Sequence, residues 1–323
     1  MTSKLSRRAL LASGSALALA ACGKTDTPES AGTPAAPKDE TGYVDVPGGK
    51  VWWTKSGEGE HTPLLILHGG PGAGHNYLLP LKGLADERPV IFYDQLGCGR
   101  SDAPENDALY RIPRFVEELT TVRKALGLDK IMLYGHSWGT MLAIEYVVTT
   151  GAPGVEKLVL GGALASMPQF VAGTRRLLDA LPNGVGARLK ALEVAGQQSS
   201  KEYEDLAGLF YHAHVCRLDP WPKDFTDSLE ILSKSPAYRI MNGPNEFTVI
   251  GNVKDWDRTA DLNKIKVPLL LMTGQYDEVT LDCHQTIQAA VPGSELMIFG
   301  DCSHCAMLEK PEAYNKVLRT FLS

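Results

Sequence analysis

KIMLYGHSWGTMLAIEY, residues 130–146, is the stretch on which the reading of this chain turns. A short apolar run leads into a serine boxed by glycines, and the chain then continues apolar with a different rhythm. Residues 131–134 are compact and apolar on both faces, which suits a strand covered by helices on both sides. Residues 138–148 have helix length. At the joint lies Gly135-His136-Ser137-Trp138-Gly139, a G-x-S-x-G pattern directly after a buried strand and directly before a helix. Glycines permit a tight turn there that lifts the Ser137 hydroxyl clear of the sheet, and the amino end of the helix offers backbone N–H groups beside it. A serine at that joint also serves as a plain helix cap, so the rest of the chain has to choose between propensity and chemistry.

The strand-then-helix beat repeats along the chain. Residues 43–46 and 51–55 are strand-like runs joined by Pro47-Gly48-Gly49, a hairpin. Residues 63–67, 90–93, 157–160, 269–272 and 295–299 are further compact apolar runs, and helix-length segments occupy 76–85, 112–126, 281–291 and 311–322. This alternation predicts the α/β class: a mostly parallel sheet with helices on both faces. The beat stops between residues 165 and 262, where charge, Pro and aromatic residues rise and no buried-strand run occurs. An insertion capping one edge of the sheet is expected, so that 42–164 and 263–323 form the core and 165–262 a helical cap. No internal repeat is present.

Composition fits a globular protein: of 323 residues, 44% are hydrophobic and 22% charged, without collagen-like, coiled-coil or mucin-like bias. A net charge of −6, with no basic block after the amino-terminal segment, leaves nothing to neutralise a phosphate backbone, which excludes nucleic acid as a partner. Ser6-Arg7-Arg8-Ala9-Leu10-Leu11 is a twin-arginine start, and the small-residue apolar run at 10–21 is too short to span a bilayer. Residues 1–22 are therefore expected to be an export signal. It ends in Leu19-Ala20-Ala21-Cys22, which resembles the lipobox of bacterial lipoproteins, where the cysteine becomes the lipidated first residue; an ordinary signal peptide containing a cysteine is the other reading. Residues 23–41, rich in Pro, Thr, Ala and charge, read as a disordered tether. The expected location is the bacterial cell envelope, facing the periplasm, held to the membrane by its lipid only.

Beyond Cys22 the chain has Cys98, Cys216, Cys283, Cys302 and Cys305, an odd number for an oxidising compartment. Cys302-Ser303-His304-Cys305 invites a metal reading, but no second C-x-x-C or His pair completes a tetrahedral site. These cysteines are expected to be small buried residues around a histidine with other duties. Neither a metal nor a cofactor is expected.

A serine hydroxyl needs a base to take its proton and a carboxylate to orient that base. In this class of fold the chain order is serine, acid, histidine. Asp277 stands in the loop after the run at 269–272 and His304 in the loop after the run at 295–299. Acyl transfer also needs N–H donors for the developing oxyanion. His68-Gly69-Gly70-Pro71-Gly72 follows an earlier strand, and the donors assigned are the backbone N–H groups of Gly70 and Trp138. Taken alone, that glycine-rich segment reads equally well as a tight turn.

With those residues placed, the chain resembles the proline iminopeptidase family of the α/β-hydrolase superfamily. The resemblance rests on HGGPG at 68–72, DQLGCGRSD at 94–102, GHSWG at 135–139, Gly274-Gln275-Tyr276-Asp277-Glu278 and Cys302-Ser303-His304. It covers nearly all of the chain beyond the amino-terminal segment, cap included. HGGPG combined with DQxGxGxSD is far more specific than G-x-S-x-G. Within the family the chain is similar to the subgroup with a GPNEF motif in the cap, here 243–247.

The resemblance implies an α/β-hydrolase fold, and it implies that Glu246 and Glu278 hold the free amino group of the substrate. A buried ammonium needs charge-assisted hydrogen bonds, which two converging carboxylates supply. An amino group held there leaves room for one residue before the scissile carbonyl. The expected function is a serine hydrolase that releases amino-terminal residues, with a proline-type preference, from short peptides through an acyl-enzyme. An amino-acid amide hydrolase stays open, since the substrate is a small peptide or amide with a free amino terminus in both cases. An esterase or lactonase would leave the glutamates without a purpose, and a lipid-anchored binding protein would leave the nucleophile, base and acid without one. Dehalogenase and epoxide-hydrolase chemistry would need a carboxylate where Ser137 stands. No oligomeric state is legible.

Overall fold

The computed structural model describes residues 39–323. Cys22, the export signal at 1–22 and all but the end of the 23–41 tether lie outside the described residues. The first strand, β1 (Glu40–Val46), opens two residues before the expected core boundary, its Glu40 and Thr41 being paired with Lys55 and Thr54. It is followed by β2 (Gly49–Ser56), β3 (Leu64–Leu67), β4 (Val90–Tyr93), β5 (Ile131–His136), β6 (Val155–Gly161), β7 (Leu269–Gly274) and β8 (Glu295–Phe299). They form one sheet in the order β1-β2-β4-β3-β5-β6-β7-β8. The β1–β2 and β2–β4 pairs are antiparallel and every later pair is parallel.

Every residue of β3, β4, β5 and β7 is buried, as strands covered on both faces require. Alternate side chains feed two cores. Leu65, Leu67, Ile91 and Leu133 pack with α1 (Ile112–Ala125) and α2 (Trp138–Thr150) on one face, whereas Leu64, Ile66, Phe92 and Tyr134 pack towards α10 (Pro311–Leu322) on the other. Strand β8 departs from the expected pattern: it is an edge strand, and Met297 and Ile298 are exposed. The segment expected as a helix at 76–85 forms 3₁₀ turns over Asn76–Leu84, because Pro80 inside it has no N–H for an α-helical ladder.

Between β6 and β7 the chain adds no strand to the sheet. It builds α3 (Met167–Ala180), α4 (Val185–Val194), α5 (Lys201–His214), α6 (Lys223–Lys234) and α7 (Pro236–Met241). Their starts are written locally: the side chains of Ser166, Ser200 and Ser235 accept the N–H of Gln169, Tyr203 and Tyr238. The α8 helix (Leu281–Ala290) and the single turn α9 (Ala306–Glu309) complete the fold. Among the described residues no helix is long and apolar enough to cross a membrane, and the five described cysteines are buried free thiols.

In this strand order, chain direction across the sheet reverses between β3 and β5. A crevice forms there outside the carboxyl ends of the strands. Leu67 pairs with Gly135, so the turn after β3 and the turn after β5 emerge side by side.

Candidate active site

The turn after β5 holds Ser137 at φ 56° and ψ −123°, a left-handed conformation rarely taken by a residue with a Cβ. Its flanking glycines are required by close approach. A Cβ on Gly135 would lie 2.3 Å from the Gly139 carbonyl oxygen, and one on Gly139 would lie 2.2 Å from that of Leu67. The Ser137 N–H donates to Gly161 O at 2.9 Å, and Thr140 donates to Ser137 O through both its N–H and its hydroxyl. This is the sharp strand-to-helix turn expected for a nucleophilic serine.

Asp277 follows β7 and His304 follows β8; both are nearly fully buried. The His304 Nδ1–H donates to Asp277 Oδ1 at 2.8 Å. The same oxygen accepts the Val279 N–H at 2.7 Å, and Oδ2 accepts the Thr273 hydroxyl at 3.0 Å. Burial pushes the Asp277 carboxyl up, but the charge and hydrogen bond of His304 more than reverse this and hold it below its ordinary value. For His304, burial pushes down, while the carboxylates of Asp277, Glu278 and Glu246 overcome it and raise the imidazole to about 9. His304 Nε2 lies 3.7 Å from Glu278 Oε1.

Ser137, His304, Gly70, Glu246 and Glu278 line one cavity of about 320 Å³. No hydrogen bond joins the Ser137 hydroxyl to His304 among the described residues; bonds of this kind commonly tighten only around a bound substrate. Glu246 Oε1 accepts the Tyr238 hydroxyl at 2.7 Å. Glu278 is 2% exposed and its Oε2 has no partner in the protein, which leaves one carboxylate oxygen free for a cationic visitor. Burial raises both carboxyls, and the charge of Glu246 raises Glu278 further. The rest of the wall is largely apolar, with Tyr211, Phe225, Leu229 and Leu232 coming from α5 and α6. Trp138 adjoins a smaller void shared with Gly70 and Ser137.

Among the described residues, no hydrogen bond within the protein takes the N–H of Gly70 or of Trp138. Gly70 sits at φ 112°, and a Cβ there would meet Gly72 N at 2.5 Å. The DQLGCGRSD segment buttresses this turn from behind. The Gln95 amide donates to His68 O at 3.1 Å and its oxygen accepts the Trp138 indole N–H at 2.8 Å.

Other contributors carried weaker signals or none. Gly162 gives the imidazole its place, because a Cβ there would lie 2.4 Å from His304 Cε1; the Gly161-Gly162 pair after an apolar run was the readable sign. Carbonyl oxygens of His214 and Val215, at the end of α5, accept the N–H groups of Glu278, His304 and Cys305. No side-chain pattern announces a backbone acceptor.

Among the described residues, the group with metal-ligating chemistry is His68, Asp94 and Cys98, not the cysteines beside His304. Its donor atoms are already engaged: His68 Nε2 accepts the Gln95 N–H at 3.0 Å, Asp94 Oδ1 pairs with His75, and Asp94 Oδ2 accepts the Arg100 N–H. The set fits a structural network better than an ion.

Comparison with known proteins gives a consistent picture. The family described as alpha/beta hydrolase fold matches residues 62–311. A proline iminopeptidase of Saccharolobus solfataricus is 41% identical over 286 residues, covering 88% of this chain and 92% of its own length. One from Thermoplasma volcanium is 39% identical over 286 residues, covering 88% and 96%. The crystal structure of the Mycobacterium smegmatis proline iminopeptidase superposes with a TM-score of 0.81 at 35% identity, covering 88% of this chain and 97% of that one.

Proposed function

The chain belongs to the proline iminopeptidase family of α/β hydrolases, and from that membership and the cavity's geometry we propose that it is a serine aminopeptidase with a proline-type preference. One observation carries the reading. A buried carboxylate with an unpaired oxygen, Glu278, and a second acidic side chain, Glu246, share a largely apolar cavity with Ser137 and His304. A buried unpaired charge is costly unless something arrives to meet it, and an ammonium is the complement.

In the proposed mechanism the substrate's ammonium docks between Glu246 and Glu278, which brings its first carbonyl to Ser137. Ser137 Oγ attacks the carbonyl carbon as His304 Nε2 takes its proton, with Asp277 holding the imidazole through Nδ1. Gly70 and Trp138 N–H groups stabilise the oxyanion. His304 then protonates the leaving amine, and a water activated by the same imidazole hydrolyses the acyl-enzyme. Replacing Glu246 by Gln separates this reading from a general esterase. The kcat/KM for a prolyl arylamide is expected to fall about 100-fold, with hydrolysis of a simple acyl ester changed less than threefold. A similar loss on both substrates removes the amine-anchoring role.

We further propose that the protein is exported and lipid-anchored through Cys22 at the cell envelope, on the strength of the twin-arginine start and the Leu19-Ala20-Ala21-Cys22 segment. Cys22→Ala is expected to move the protein from the membrane to the soluble fraction; unchanged fractionation excludes the anchor.

A further inference from the structure

Two residues of the cavity wall, Tyr77 and His136, have no part in the roles assigned above, yet they are joined by hydrogen bonds that allow only one direction. The His304 carbonyl oxygen can only accept, so the His136 Nε2, 3.0 Å away, carries the hydrogen and donates it. Nδ1 of that neutral imidazole is then an acceptor and takes the Tyr77 hydroxyl at 2.9 Å. The Tyr77 oxygen in turn accepts the Gly69 N–H at 2.8 Å. One end of this line is the residue before Gly70, in the oxyanion turn. The other end is the peptide of His304, the base itself.

Both side chains are buried, Tyr77 at 4% and His136 at 1% exposure, so neither link is replaced by solvent. The tautomer is held as well: burial and the nearby His304 charge push the His136 imidazole down to about 3, which keeps it neutral at working pH. The two imidazole rings lie 4.5 Å apart between centroids. Clearance on the turn side is just as tight, since a Cβ on Gly69 would fall 2.8 Å from the Tyr77 hydroxyl and 2.9 Å from Ser137 Cβ. Tyr77 is also tied to the cap, its N–H donating to Ser228 Oγ of α6 at 3.1 Å.

We propose that Tyr77 and His136 are positioning residues: their hydrogen bonds set the oxyanion turn and the His304 loop in register on either side of Ser137. The proposal rests on the hydrolase reading above. It follows that these residues act on the chemical step and not on docking of the amine, because Glu246 and Glu278 lie outside the relay. Removing one hydroxyl frees both ends at once, leaving the Gly69 N–H and His136 Nδ1 buried without partners. Small displacements of reacting groups then cost rate steeply.

The experiment compares wild type, Tyr77→Phe, His136→Gln and the double variant on a prolyl arylamide, with thermal unfolding and fluorophosphonate labelling of Ser137 alongside. Tyr77→Phe is expected to lower kcat about 10- to 100-fold, with KM within about twofold of wild type and labelling slowed in proportion. The double variant is expected to lose no more than the worse single one, since either change breaks the same line. A folded Tyr77→Phe with unchanged kcat, losses that multiply in the double variant, or a loss shared equally by KM and melting temperature overturns the relay. If His136→Gln fails to fold, the kcat-against-KM split of Tyr77→Phe decides alone. Wild-type protein that resists the fluorophosphonate overturns the hydrolase reading and the relay with it, whereas labelled wild type with an unimpaired Tyr77→Phe overturns the relay only.

Discussion

His304 lies between carboxylates that act on it differently. Asp277 meets Nδ1 at 2.8 Å through a direct hydrogen bond, whereas Glu278 faces Nε2 at 3.7 Å and Glu246 acts from farther across the cavity. Of the neighbouring imidazoles, His136 is pushed down to about 3 and His284 is pushed down as well, burial being the first cause in each. A base must be neutral to accept a proton, and His304 titrates at about 9 in the free protein. The kcat/KM for a prolyl arylamide is therefore expected to rise about tenfold per pH unit on the acid side, and to level off once the substrate's own ammonium, the form that docks, begins to be lost at about 8. Glu278→Gln removes one raising charge and moves the limb to lower pH. A limb near 6.5 that ignores Glu278→Gln refutes the assignment. The same raised value carries a stability sign: the His304 contribution is fully present below its ordinary value of about 6.5 and is lost as pH climbs through about 9. A substrate ammonium docked at Glu278 screens the imidazole from that carboxylate, so binding and base activation are linked at one residue.

The strand-turn-helix element from β5 to α2 stores strain at its most reactive residue. A non-glycine held at φ 56° and ψ −123° costs roughly 1–3 kcal/mol, and the surrounding contacts of Gly135, Gly139 and Gly161 leave Ser137 no other path. Ser137→Gly is expected to raise stability by roughly 1 kcal/mol relative to Ser137→Ala while both abolish turnover; denaturant unfolding that ranks the alanine variant as stable or better refutes stored strain here. Elements of this kind were well legible. The last helix was expected at 311–322 and occupies Pro311–Leu322, since proline at its start and a strongly amphipathic repeat mark it locally. The segment at 76–85 has the length of an α-helix, but Pro80 inside it breaks the i→i−4 ladder and leaves 3₁₀ turns. The edge position of β8 was invisible, because an edge strand and a covered strand share one apolar spelling.

At the scale of the molecule, the inserted helices wall the cavity and also hold the loops that carry the chemistry. The carbonyl of His214 alone accepts N–H groups from both Glu278 and His304, so the end of α5 couples two loops that follow different strands. The chain then returns to the core through Arg258, whose guanidinium meets Glu145 of α2 with two hydrogen bonds while the Trp256 indole N–H donates a third to the same carboxylate. Spacing and residue type were enough to name Ser137, Asp277, His304 and Gly70 as neighbours-to-be, because G-x-S-x-G, a glycine-rich turn and polar residues just beyond apolar runs have local causes in backbone sterics and burial, whereas Glu246 and Glu278 were pointed to only by the family resemblance. Gly162, the Tyr77–His136 line and the carbonyls of His214 and Val215 had to await folding. Each works through a distance between segments far apart in the chain, and such distances depend on how whole layers pack, which no single stretch of residues encodes.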